Sequence, residues 1–157
     1  MQSDLRYIPL IAVLVVYVVA LFVVPASAEE NRVTFPENYA QYVRYGIYDR
    51  GSSGEEAFAH PDTIALSKNG LPLPNGTQLV LRILKNGELT SYFVMQKGEG
   101  WGADYDEERR TGDWQFQQFD TNMQVMASAN TAQCQSCHGR AGFDAMYTIE
   151  QMRAFLP

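Results

Sequence analysis

The chain reads as an α+β domain, an antiparallel sheet with short peripheral helices, and three observations predict it. Residues 77–85 and 88–96 are rich in β-branched and aromatic side chains and are separated by Asn86-Gly87, a dipeptide that accepts positive φ at both turn positions and so favours a hairpin. Pro61 and Gly70 bracket a short apolar segment holding Ile64, Ala65 and Leu66, the usual asymmetry of proline inside a helix start and glycine past its end. Asn130-Thr131-Ala132-Gln133 resembles a capping arrangement that opens a helix at Cys134. An antiparallel sheet with helices at its periphery defines the class.

In chain order, the N-terminus comes first because it conditions everything after it. An uninterrupted apolar run from Ile8 to Val24 is followed by Pro25-Ala26-Ser27-Ala28 and then Glu29. Small residues at Ala26 and Ala28 suit cleavage of an export signal after Ala28. The run also approaches bilayer-spanning length, roughly 17 to 25 residues, so an uncleaved anchor to the inner membrane is the alternative. Residues 1–28 are therefore expected to be signal or anchor, and 29–157 one periplasmic domain, long enough to bury a core.

Pro36 followed by Tyr39, Tyr42, Val43 and Tyr45 predicts a short helix with an aromatic stripe. Phe58 is expected in a short strand between Ala57 and His60, and Asp62 to Asn69 in a helix. Alternation in the hairpin places Leu79, Leu81 and Ile83 on one face of its first strand, and Leu89, Phe93 and Met95 on one face of its second. A further strand, Asp113 to Phe119, follows a glycine-rich loop containing Trp101, and Thr148-Ile149-Glu150-Gln151 opens a last short helix.

The net charge of −6 argues against nucleic acid and anionic lipid as partners, since both require a basic face.

Cys134-Gln135-Ser136-Cys137-His138 is a C-x-x-C-H motif. On one helical turn two thiols can add to the vinyl groups of a porphyrin edge, and the next residue is then held beneath the iron. The pattern predicts a covalently attached c-type haem bound through Cys134 and Cys137, with His138 as the metal ligand. No other cysteine is present to pair with either thiol. A thioredoxin-type redox disulfide would follow a strand early in a βαβ pattern that this chain lacks. Zinc would need two more good ligands, and His60 is the only other histidine. For the opposite side of the iron, Met95, Met123 and Met126 are possible in principle, Met146 and Met152 lie awkwardly close in sequence to His138, and His60, before a proline, suits a cap or the surface. Five-coordinate iron under an apolar pocket is the expectation.

The mature chain resembles the cytochrome P-460 family, which includes the cytochromes c′-β. The resemblance runs from Pro36 to about Thr148 and rests on Pro36-Glu37-Asn38-Tyr39, Leu73-Pro74-Asn75-Gly76-Thr77, Phe93-Val94-Met95 with Gly100-Trp101-Gly102-Ala103, Gly112-Asp113-Trp114, Asn130-Thr131-Ala132 before the haem motif, and Asp144 with Tyr147-Thr148 after it. It implies a five-stranded antiparallel sheet, a haem c on a C-terminal helix and, usually, a homodimer. It implies two activities as well. Cytochrome P-460 proper oxidises hydroxylamine with a haem cross-linked to a lysine, whereas cytochromes c′-β lack that link, bind nitric oxide or carbon monoxide, and cap the distal side with phenylalanine.

The lysines are Lys68, Lys85 and Lys97 alone. Aligned on Gly76-Thr77, the resemblance puts Leu81 where the cross-linking lysine falls; a slip of register would bring in Lys85. Phe58 and Phe93, with Leu81 nearby, are the candidates for an apolar distal cap, and ordinary core packing is the alternative for each. Such a cap excludes water and favours a neutral diatomic over charged ligands. Arg140 is a candidate for a haem propionate or for solvent. The expected function is binding of a small diatomic or nitrogenous ligand or electron transfer to a redox partner protein; hydroxylamine oxidation and thiol oxidoreduction are the alternatives.

Overall fold

The computed structural model describes residues 31–156, so the expectation of a signal or anchor in residues 1–28 lies outside the described residues. Five strands form one open antiparallel sheet in the order β1-β2-β3-β4-β5, each paired with its chain neighbour: β1 Val43–Arg50, β2 Ser53–Ala59, β3 Gln78–Lys85, β4 Glu88–Lys97 and β5 Trp114–Phe119. Three short helices accompany it, α1 Pro61–Ser67, α2 Ala132–His138 and α3 Ile149–Ala154. This is the α+β class with an antiparallel sheet. No helix among the described residues is long and apolar enough to cross a membrane.

The central hairpin forms as its turn chemistry dictates, with Asn86 at φ 52° and Gly87 at φ 83°. The helix starts are less conventional. Asn130 Oδ1, rather than Thr131, accepts the Ala132 N–H, and the Thr148 hydroxyl, expected as a cap, instead meets the Tyr45 hydroxyl at 2.9 Å. His60 caps α1, its Nδ1 accepting from Asp62 N–H.

Two expectations are corrected by β-bulges. The stretch from Pro36 to Tyr45 is not a helix: only a 3-10 turn forms at Tyr39–Gln41, and β1 begins at Val43. The three-residue spacing of Tyr39, Tyr42 and Tyr45 mimics a helical stripe, but Tyr39 and Tyr42 pack on one face of the sheet and Tyr45 on the other. A register shift between Arg44 and Gly46 inserts Tyr45 as an extra residue, hiding the period-2 pattern of the strand. A second shift pairs Ile83 with Ser91 but Leu84 with Leu89. Leu89 is thereby turned away from Phe93 and Met95 and joins the cluster of Val80, Tyr92 and Val94.

Both faces of the sheet are covered. One is closed by the N-terminal segment, where Val33, Phe35, Tyr39 and Tyr42 pack on Val80, Val94 and Phe119. The other carries Ala57, Ala59, Leu79, Met95, Trp114 and Phe116 against Ile64 of α1 and Ile149 and Met152 of α3. Fully burying each large side chain contributes about 1.5–3 kcal/mol. The second face is where α2 and the site lie.

Candidate functional site

A cavity of about 470 Å³ opens between this face and α2, within the roughly 300–1,000 Å³ of typical cofactor sites. Leu79, Leu81, Ile83, Phe93, Met95 and Phe116 supply its sheet wall, and Cys134, Cys137, His138 and Met146 come from α2 and the loop behind it. Five of the seven residues singled out from the sequence, Cys134, Cys137, His138, Leu81 and Phe93, therefore meet at one cavity. Leu81 and Phe93 are direct cross-strand partners.

Phe58 and Arg140 are not part of it. Phe58 pairs with Val80 in β2 and turns to the opposite face, where it packs on Tyr39 at a ring separation of 5.8 Å and under the Arg82 guanidinium. Its neighbours Ala57 and Ala59 take the cavity side, so a distal cap by Phe58 is excluded by strand alternation. Arg140 is exposed just beyond α2 and does not line the cavity.

His138 is prepared as a ligand by its surroundings. Its Nδ1 lies 2.7 Å from the Ala145 carbonyl oxygen. A carbonyl only accepts, so Nδ1 carries the proton and the lone pair resides on Nε2, the arrangement that hydrogen-bonded metal-ligating histidines use. Burial pushes the imidazole below its ordinary pKa, against the opposing effect of the Ala145 carbonyl, keeping it neutral. Phe116 at 4.8 Å and Tyr147, edge-on at 5.7 Å, hold the ring, and the Tyr147 hydroxyl donates to the Cys137 carbonyl at 2.8 Å.

The Ala145 carbonyl is in turn fixed by a strained loop. Asp144 (φ 50°) and Ala145 (φ 54°) both adopt left-handed backbone, costing of order 1–3 kcal/mol each for residues other than glycine. The loop is held by the Asp144 carboxylate, which accepts from Lys97 Nζ at 2.7 Å, the Leu73 N–H at 2.8 Å and Trp114 Nε1 at 3.2 Å.

The sequence did not identify Tyr45 or Tyr48 as cavity residues, because the β1 bulge concealed their face. Phe116 was within reach, since Trp114-Gln115-Phe116-Gln117 alternates cleanly.

An apolar cleft with two free thiols and a neutral imidazole on one wall, set against an antiparallel sheet, is a site able to hold a flat, metal-bearing cofactor. The chain belongs to the Cytochrome P460 family, whose model matches residues 36–148. That membership makes it a haem-binding and iron-binding cytochrome, of the haem c class. A search of curated proteins found no match.

The residues present fit a haem. Most of the lining is apolar, the thiols of Cys134 and Cys137 open on the same cavity, and the imidazole of His138 offers its Nε2 lone pair. A haem would supply a redox-active iron able to bind small ligands. The chain supplies attachment, a ligand of fixed tautomer and a shielded cavity.

Proposed function

We propose that this is an exported mono-haem c protein, attached through thioether bonds at Cys134 and Cys137 and ligated by His138, which binds nitric oxide or similar small ligands at an open coordination position, transfers electrons, or does both. The observation carrying the reading is the convergence of Cys134, Cys137 and a neutral, orientated His138 with Leu81 and Phe93 on one cavity. We place the mature domain, residues 29–157, in the periplasm, the first 28 residues being a cleaved signal or, in the alternative, an anchor, and we take the working form to be a homodimer served by a redox partner protein.

The rival reading, a hydroxylamine-oxidising enzyme with a lysine-linked haem, is disfavoured by a specific observation. None of the lysines lines the cavity. Lys85 is exposed at the end of β3, Lys97 is committed to Asp144 and the Leu73 carbonyl, and Lys68 donates to the Phe155 carbonyl. Thiol oxidoreduction is disfavoured because burial pushes the Cys134 thiol up, whereas a redox-active cysteine has a depressed pKa.

The ferrous absorption spectrum of the purified protein, with and without nitric oxide, tests this. An ordinary haem c Soret band that shifts on adding nitric oxide is expected. A strongly red-shifted band, with a lysine-containing peptide joined to the haem in mass spectrometry, would establish the rival. A colourless protein would leave only thiol chemistry.

A further inference from the structure

The cavity wall is less apolar than the sequence leads one to expect. Tyr48 of β1 lines it, and its hydroxyl is buried with no hydrogen-bond partner among the described residues. A phenol normally finds a partner when its oxygen is withdrawn from water, so the group is either a cost carried for nothing or a donor waiting for something in the cavity.

The local backbone is built to put it there. Past the bulge at Tyr45 the register pairs Gly46 with Ala57 and Tyr48 with Glu55, and Ala57 and Glu55 both line the cavity. The bulge thus rotates Tyr48 onto the site face, one common use of bulges beside functional sites. The side chain then folds back over Gly46, where a Cβ would lie 2.7 Å from the Tyr48 Oη. Only glycine leaves that space. Glu55, the cross-strand partner of Tyr48, pairs with Arg50 at 3.4 Å, and both line the same cavity. Burial, with the Glu55 carboxylate adding to it, pushes the phenol up from its ordinary value, so the oxygen keeps its proton and remains a donor.

We propose that Tyr48 donates a hydrogen bond to the acceptor atom of a small ligand bound within this cavity, selecting ligands that present such an atom over purely apolar ones. The inference rests on the haem-binding reading above, with an open position at the iron. Oxygen of nitric oxide, nitrogen of cyanide and the fluoride ion belong to the class. Among the other hydroxyls of the cavity, Tyr147 donates to the Cys137 carbonyl, and Tyr45 and Thr148 share one hydrogen bond at 2.9 Å, so that one of those two protons is already spent.

The test uses the haem-loaded ferric protein, Tyr48→Phe and, as a control on the opposite sheet face, Tyr42→Phe, with fluoride as the probe. Tyr48→Phe removes one oxygen and keeps the ring, so it is expected to fold with unchanged or slightly higher thermal stability, since an unpartnered buried hydroxyl contributes nothing to hold the fold. Its fluoride affinity is expected to fall roughly tenfold, the worth of one hydrogen bond to an anion, while Tyr42→Phe binds as the native protein does. The fluoride complex of the native protein should also show a solvent-deuterium shift of its charge-transfer band that Tyr48→Phe lacks.

Equal fluoride affinity in native protein and Tyr48→Phe overturns the proposal and leaves the haem-binding reading intact. A changed midpoint potential with unchanged fluoride affinity would assign the hydroxyl to a haem carboxylate, and equally overturns it. A native haem protein that binds no fluoride at all overturns this proposal, and the ferrous spectrum with nitric oxide then decides separately whether the position at the iron is open.

Discussion

Lys97 Nζ and Asp144 Oδ1 form an ion pair of 2.7 Å whose side chains are only 13% and 8% exposed, and the pair ties the end of β4 to the loop that orients His138. Because Asp144 also receives the Leu73 N–H and the Trp114 indole, its carboxylate joins four separate stretches of chain. Removing one member of a buried pair leaves the other charged and desolvated. Asp144→Ala is therefore expected to cost about 3–5 kcal/mol in urea unfolding, and the double variant Lys97→Met with Asp144→Leu is expected to cost less than Asp144→Ala alone. If Asp144→Ala unfolds at the native midpoint, the carboxylate is not holding the loop.

The opposite placement of Phe58 and Phe93 separates packing from binding. Phe58→Ala is expected to destabilise by about 3 kcal/mol, the low end of the range for core phenylalanine because the ring is only partly buried, with no effect on carbon monoxide binding to the reduced protein. Phe93→Ala, which enlarges the cavity itself, is expected to change the carbon monoxide dissociation rate several-fold. Flash photolysis with thermal unfolding on both variants checks this, and a ligand-rate effect of Phe58→Ala alone would contradict the assignment of faces.

These two phenylalanines also mark how far the sequence reading reaches. Asn86-Gly87 specifies the hairpin because it is local turn chemistry, and the C-x-x-C-H run names its own cofactor because five consecutive residues carry the chemistry. Phe93 follows from the period of a regular strand. Phe58 was misplaced because a short strand of mixed composition offers no unambiguous face, and Tyr48 and Leu89 were lost to single-residue bulges, after which every later side chain changes side. The clasp of Leu73, Lys97, Trp114 and Asp144 was not legible at all. Its members are separated by up to 71 residues, and only the folded chain brings them together.

Alkaline pH should weaken the fold through the tyrosines of the N-terminal segment. Tyr39 and Tyr42 are each raised from 10.0 to about 12, in both cases chiefly by burial, which favours the neutral phenol. The unfolded chain releases these protons near pH 10 and the folded chain does so only near pH 12, so their contribution to stability is intact below pH 10 and is lost as the pH rises through that window. Urea midpoints measured from neutral pH upward are expected to hold until about pH 10 and then fall. In Tyr39→Phe and Tyr42→Phe the fall should be shallower; an unchanged slope would show that the phenols do not govern it.

The methionines test whether the iron keeps an open position. Met95 and Met146 are the two whose side chains reach the cavity and are 8% and 4% exposed, and either thioether is soft enough to bind haem iron. Their neighbours favour packing instead: Met95 lies in β4 between Leu79 and Phe116, and Met146 shares the core cluster of Ile149 and Met152. Replacing a core methionine by leucine conserves volume and costs less than about 1.5 kcal/mol, so Met95→Leu and Met146→Leu should both fold and take up haem. Neither is expected to alter the ferric spectrum or the midpoint potential appreciably. A large fall in potential in one of them would instead identify that residue as the sixth ligand, because loss of a thioether destabilises the ferrous state. The protein would then be an electron carrier with a closed iron, and small-ligand binding would have to wait for that bond to break.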